Sequence, residues 1–151
     1  MDLTQAMTFI RDRKAGVLAT IRTNGRPQLS NIIYVIGDDG NPRISITDDR
    51  AKTANLRRDP RASLYVLGDH HGQYVVVEAA AELSAVAADP HDDTVEQLIA
   101  YHRAGNDEEH SNWDEYRAAM VADRRLILSL RPERAYGLLP NYFPLKKADS
   151  S

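Results

Sequence analysis

Ala15-Gly16-Val17-Leu18-Ala19-Thr20-Ile21-Arg22-Thr23-Asn24-Gly25-Arg26-Pro27-Gln28-Leu29-Ser30-Asn31-Ile32-Ile33-Tyr34-Val35-Ile36 is the stretch that decides the fold. Two β-rich runs flank Asn24-Gly25, and Asn-Gly between apolar runs is the strongest short-range hairpin signal. The spacing predicts one strand from Ala15 to Arg22 and a partner from Pro27 to Ile36. In the first, Val17, Ala19 and Ile21 face one side and Leu18 and Thr20 the other. A type I′ turn, with positive φ at both Asn24 and Gly25, is the expected connection.

Upstream, Thr4 reads as the N-cap of a helix reaching about Arg13, with Met7 and Ile10 on one face. Downstream, Gly37-Asp38-Asp39-Gly40-Asn41-Pro42 is a second turn before a strand over 43–47. A short helix follows from about Arg50 to Arg58, stopped by Pro60. Ala62 to Leu67 and Gln73 to Leu83 are two more strands around the turn Asp69-His70-His71-Gly72. Five strands joined by short turns predict an antiparallel meander or small barrel instead of a βαβ array.

The second half opens with a helix after Asp89-Pro90, ending near Arg103, with Val95, Leu98, Ile99 and His102 at helical spacing. Ser111-Asn112-Trp113-Asp114 resembles a capping box for another helix carrying Trp113, Tyr116 and Met120. Arg125 to Leu130 is a last core strand, with a short extension over 135–139, and 146–151 reads as a flexible tail. The chain is therefore mainly β with flanking helices (α+β), in one domain over 1–145.

Asn31 to Ile36 and Val75 to Ala81 are apolar on both faces and need cover on both sides. Three modest helices supply too little of it. A second copy of the chain would complete the cover, so a homodimer is expected, with a closed, filled barrel as the alternative.

Composition removes several function classes. With 151 residues and no cysteine, the chain can bury a core without staples and has no thiol nucleophile or Cys-ligated metal. A net charge of -3 argues against nucleic acid as a main partner. Met1-Asp2-Leu3-Thr4 lacks a basic region leading into an apolar run, and no apolar stretch approaches a membrane span. A soluble, cytoplasmic protein without a membrane partner is expected.

The histidines show no metal-ligand spacing, and no G-x-S-x-G elbow is present. No catalytic side chain and no metal ligand are expected. One segment does suggest chemistry, Ser45-Ile46-Thr47-Asp48-Asp49-Arg50-Ala51-Lys52-Thr53. It runs a strand into a helix start, where free N–H groups and the positive dipole end collect. Cations there oppose the dipole unless an anion is bound, so Arg50 and Lys52 read either as a phosphate pocket or as solvated surface. Asp48 and Asp49 are available as N-caps that would compensate part of that charge. Gln28, Ser30 and Asn31 place polar groups on both pleat faces of an otherwise apolar strand, either for a ligand or for a turn.

Taken together, Gly16-Val17-Leu18-Ala19-Thr20, Asn24 through Asn31, Arg50-Ala51-Lys52-Thr53 and Asn55 through Ala62 resemble the pyridoxamine-phosphate-oxidase-like split-barrel flavoproteins. With Asp92 through Glu96, Trp113 through Val121 and Asp123-Arg124-Arg125, the chain is most similar to the actinobacterial flavin/deazaflavin oxidoreductases that use coenzyme F420. The resemblance spans nearly the whole chain. It implies a six-stranded antiparallel split β-barrel of the FMN-binding type, homodimeric, with cofactor sites at the interface.

By the same resemblance, Arg50, Ala51 and Lys52 hold the cofactor phosphate and Asn55 is a nearby polar position. Gln28, Ser30 and Asn31 lie along the ring system, Ser45 leads into the phosphate site, and Gln73 and Tyr74 border the ring. Arg125 reaches the cofactor from the second subunit. The implied activity is hydride transfer from F420H2 to a small electrophilic acceptor such as an enone, quinone or tetrapyrrole. FMN in place of F420, or a non-catalytic carrier of the cofactor, are the alternatives. Two departures stand out. Pro140-Asn141-Tyr142-Phe143-Pro144-Leu145 replaces the Arg-Leu-x-Pro type ending of vitamin B6 oxidases, and Ala79 follows Glu78 where relatives carry glycine, so no bulge is expected there.

Overall fold

The computed structural model describes residues 1–140; the Asn141–Leu145 part of the terminal motif and the 146–151 tail lie outside the described residues. The elements run α1 (Leu3–Arg11), β1 (Ala15–Ile21), β2 (Pro27–Ile33), β3 (Val35–Ile36), β4 (Pro42–Thr47), α2 (Ala51–Arg58), β5 (Arg61–Leu67), β6 (Tyr74–Leu83), α3 (Asp93–Gly105), α4 (Trp113–Ala122) and β7 (Arg125–Leu138).

One antiparallel sheet holds seven strands in the order β2-β1-β5-β6-β7-β4-β3, so neither a simple meander nor six strands describes it. The extra strand arises at Tyr34, which breaks the expected 27–36 strand into β2 and β3. The Tyr34 N–H donates to the Lys14 carbonyl, and its buried hydroxyl donates to the Ile10 carbonyl at 2.5 Å. Those bonds turn the backbone out of the ladder. β2 and β3 end up on opposite edges of the sheet with only Tyr34 between them, so the sheet curls into a half-barrel.

The first hairpin also closes differently. Asn24 does not take positive φ; Gly25 alone does, at 83°. Gly25 N–H reaches the Arg22 carbonyl, which is a three-residue loop with glycine at the left-handed position. β7 runs unbroken through Pro132, and the β6–β7 register shifts between Glu78 and Ala79. The bulge thought absent is therefore present. Glu133 is the residue left without a partner, beside a proline that cannot donate to the ladder.

Helix starts moved by one or two residues. Asp2, not Thr4, caps α1 in a reciprocal capping box with Gln5, and Asn112, not Ser111, caps α4. α1 inserts Ala6, Phe9 and Ile10 into the core with Leu18, Leu64, Val75, Val77, Leu126, Leu128 and Leu130. A second cluster lies outside the sheet, where Val95, Leu98 and Ile99 of α3 and Trp113, Tyr116 and Met120 of α4 cover Ile127 of β7. The helices thus cover the outer face around β7. On the β2-β1-β5-β6 part and the far end of β7, Leu29, Ile33, Tyr65, Leu67, Tyr136 and Leu138 stand 37–61% exposed. Among the described residues no helix is long and apolar enough to cross a membrane.

Candidate functional site: a cation cluster at the start of α2

β4 alternates Ile44 and Ile46 into the core with Arg43, Ser45 and Thr47 on the other face. Antiparallel pairing sets Thr47 opposite Arg125 and Ser45 opposite Ile127. This register brings Arg125 onto the Ser45 side, where its guanidinium donates to Ser45 Oγ at a long 3.4 Å. Thr47 then leads through a tight turn into α2. Thr53 Oγ donates back to the Thr47 carbonyl at 2.7 Å and fixes the angle between strand and helix.

Arg50 is itself the N-cap of α2, and no side chain caps the helix. The two aspartates expected there are engaged elsewhere. Asp49 accepts from Thr47 Oγ, and Asp48 pairs with Arg57 and Arg124. The first N–H groups of the helix stay uncapped beside Arg50 and Lys52. Burial, then the fields of Arg50 and Arg125, hold the Lys52 ammonium below the ordinary lysine pKa. Lys52 therefore senses both Arg50 and Arg125 within a single chain. Next to them a hollow of about 440 Å³ opens between Thr47, Asp49, Arg50, Asp123, Arg124 and Arg125.

Five buried side-chain polar atoms among the described residues lack a hydrogen-bond partner, Arg13 Nε, Ser30 Oγ, Arg43 Nε, His102 Nδ1 and Arg125 Nε, and Ser30 and Arg125 are the two that belong to the expected site. Such atoms cost about 1–3 kcal/mol each and mark places where a ligand would repay desolvation. An uncapped helix start, three cations and a guanidinium nitrogen with no hydrogen bond, only Asp123 Oδ2 at 4.0 Å, fit a phosphate. The residues present thus suit a phosphate-bearing cofactor.

The other sequence-derived positions are distributed unevenly. Gln28 pairs opposite Thr20 and Ser30 opposite Leu18, so both face the inner side of β2, while Asn31 is exposed on the outer side. Asn55 is buried and spends its amide on the fold, donating to Thr20 Oγ at 3.1 Å and accepting from Arg58. Gln73 is buried too, accepting from Asp69 N–H and donating to the Pro140 carbonyl, so it ties its own turn together. Tyr74 stacks on Tyr65 with ring centroids 5.6 Å apart. It pairs with Leu138 at the far end of β7, on the order of 40 Å of extended strand from Arg125. Within one chain, Gln73 and Tyr74 are not part of the cation cluster.

The sequence reading missed Tyr101 and Tyr116. Tyr101 lies against Ser45 and Arg125, and Tyr116 faces Arg125 with its hydroxyl on the Leu98 carbonyl. Burial pushes the Tyr116 hydroxyl up to about 12 despite Arg125. Tyr101 stands one position off the apolar face of α3, and no periodicity points to it.

A profile of the pyridoxamine 5'-phosphate oxidase family matches residues 3–138. The chain belongs to that family. Solved structures extend the likeness. The conserved hypothetical protein Rv2991 of Mycobacterium tuberculosis is 20% identical, with a TM-score of 0.70 over 100% of this chain and 95% of that one. An F420 reductase is 22% identical, with a TM-score of 0.61 over 85% of this chain and 94% of that one. HutZ, a heme storage protein of Vibrio cholerae, is 18% identical, with a TM-score of 0.64 over 91% and 94%. At these identities the likeness is one of fold. An F420 reductase and a heme storage protein share this fold, so the function of this pyridoxamine 5'-phosphate oxidase family member rests on its own residues.

Proposed function

We propose that this chain binds a phosphate-bearing deazaflavin, F420, and passes hydride from F420H2 to a small electrophilic organic acceptor, as in the actinobacterial F420-dependent subgroup. FMN is the alternative cofactor, and cofactor carriage without turnover the alternative role. The carrying observation is the grouping of Arg50, Lys52 and Arg125 beside the uncapped start of α2. When bound, a deazaflavin or flavin itself supplies the hydride chemistry. The chain has to bind, orient and shield it. Arg50 and Lys52 with the Ala51 backbone would hold the phosphate, and Arg125 and Ser45 would flank it. Ser30, with its unpartnered hydroxyl, and Gln28 would face the ring system, and Asn31 would stand at its outer edge. Asn55 would act by pinning α2 to β1.

The proposed assembly is a homodimer. Six large apolar side chains stand exposed on one bare outer face, the kind of surface that marks an interaction site. Tyr74 of β6 pairs with Leu138 at one end of β7 and Arg125 starts the other end, so only a second copy could bring both to one ligand.

Fluorescence titration with F420 and with FMN tests the reading, followed by mixing of the reduced complex with enone and quinone acceptors. Binding of F420 with turnover supports it. Binding of FMN alone removes F420, and tight F420 binding without turnover of any acceptor favours a carrier.

A further inference from the structure

Asp48 sits in the turn between β4 and α2 and makes three contacts. One carboxylate oxygen accepts from Arg57 Nη2 at 2.7 Å, on α2. The other accepts from Arg124 Nη2 at 2.9 Å, from the residue before β7. The Asp48 N–H donates to the Arg124 carbonyl at 3.0 Å. Arg124 is held at φ 52°, in the left-handed region, and is the only non-glycine residue there among those described. One carboxylate thereby bridges the helix that carries Arg50 and Lys52 to the strand start that carries Arg125.

Exposed ion pairs contribute little to folding. The side chains of Arg57 and Arg124 are 45% and 66% exposed, so the fold has small need of this bridge. The site needs it more, since its cations come from two elements that repel each other when no anion is bound. The bridge also engages Arg57 and Arg124 and leaves Arg50, Lys52 and Arg125 to face a ligand.

We infer that Asp48 is a positioning residue of the anion site, clamping α2 to the start of β7 so that Arg50, Lys52 and Arg125 converge on one phosphate. This rests on the phosphate reading above. It also has a sign that a simple charge effect lacks. A carboxylate among cations lowers the local positive potential. If Asp48 acted through its field alone, removing its charge would tighten binding of a phosphate. If it acts as a clamp, removal weakens it.

The readout is the ratio of riboflavin to FMN dissociation constants, which isolates the phosphate; F420 against its phosphate-free deazaflavin serves likewise. In Asp48→Asn the ratio is expected to fall about fivefold or more, with riboflavin affinity and thermal midpoint close to wild type. Arg124→Asn, which tolerates positive φ, removes the same clamp from the other side and is expected to match it. The double variant should lose no more than either single. A ratio that rises or stays constant in Asp48→Asn, or losses that add in the double variant, overturns the clamp. If Asp48→Asn fails to fold, Asp48→Ser, which also removes the carboxylate and keeps the opposed signs, decides in its place. A wild-type ratio of one for both cofactor pairs instead removes the phosphate reading, before any variant is compared, and the clamp with it.

Discussion

Lys52→Ala is the most direct test of the cation cluster. Lys52 lies in the first turn of α2, half-buried, with Arg50 and Arg125 near enough to depress its pKa. Its ammonium is thus partly desolvated and already repelled, the condition under which a phosphate oxygen gains most from it. A hydrogen bond to a charged group contributes about 1.5–3 kcal/mol. Arg50 and Arg125 stay in place in the variant, so the loss is confined to one partner of the anion. The expected cost is therefore roughly 10- to 150-fold in the dissociation constant of F420 or FMN. Riboflavin and the phosphate-free deazaflavin, titrated by the same fluorescence signal, should bind the variant as they bind wild type. Equal losses for ligands with and without phosphate would place Lys52 at the ring or in the fold. Unchanged affinity for every ligand would make it solvated surface and remove the cluster as the anchor.

Four further outcomes follow from the structure. Lys52 assists an anion only while protonated, and its pKa is lowered, so FMN affinity should decline with rising pH before an ordinary lysine near 10.5 would titrate. The ligand-free protein responds with the opposite sign: between the lowered folded value and 10.5 the unfolded chain binds more protons, so stability rises with pH in that window, which urea melts at a series of pH values can follow. Gly137→Ala should destabilise by about 2–4 kcal/mol, because φ is +151° and an added Cβ would sit 2.2 Å from the Tyr74 carbonyl oxygen; a denaturation midpoint equal to wild type would contradict the β6–β7 packing. Light scattering of the wild type should give twice the chain mass, and Leu67→Arg, at a side chain half-exposed in the bare face, should give the monomer with weakened cofactor binding; a wild-type monomer that binds F420 tightly would remove the interface site.

How much of this was legible in the sequence depends on the range of the interactions involved. Apart from the 27–36 run, alternation and turn residues mark the strands of the first half to within a residue or two, because each hairpin is a local object. The break at Tyr34 is not marked. It lies inside an apolar run without glycine or proline, and its cause is a hydroxyl reaching a carbonyl on α1, 24 residues earlier. β7 fails in the opposite sense. Pro132 and Gly137 look like breakers, yet the strand absorbs the proline at a bulge and uses the glycine for a close approach to Tyr74. Arg50 and Lys52 stand out because strand, turn and helix start are contiguous. Arg125 joins them through the β4–β7 register, and only family resemblance pointed to it. Asn55 and Gln73, both read as ligand positions, have side chains occupied by the fold, at Thr20 and at Pro140. Polar residues at the right position in a pattern do not say where their hydrogen bonds go.

The uneven cover of the sheet links the fold to its proposed assembly. The segment between β6 and β7 spends α3 and α4 on the outer face around Ile127, next to the cation cluster. Had those helices lain over β1 and β5, the apolar rows there would be satisfied and the cluster open to solvent. As built, Ala15, Val17 and Ala19 form a low furrow on β1 between Leu29 and Ile33 on one side and Tyr65 and Leu67 on the other. Part of it is a hollow of about 430 Å³. A ridge-and-furrow surface can receive a ridge of its own kind. A two-fold contact uses the same patch on both copies, so one association covers both bare faces at once. Among the described residues no equivalent apolar face then remains to recruit a third copy, and assembly should close at two. Because that face reaches Tyr74, the proposed association would also decide which side chains of the second copy stand near the first copy's cofactor. Folding and ligand binding should therefore both strengthen with protein concentration over the same range.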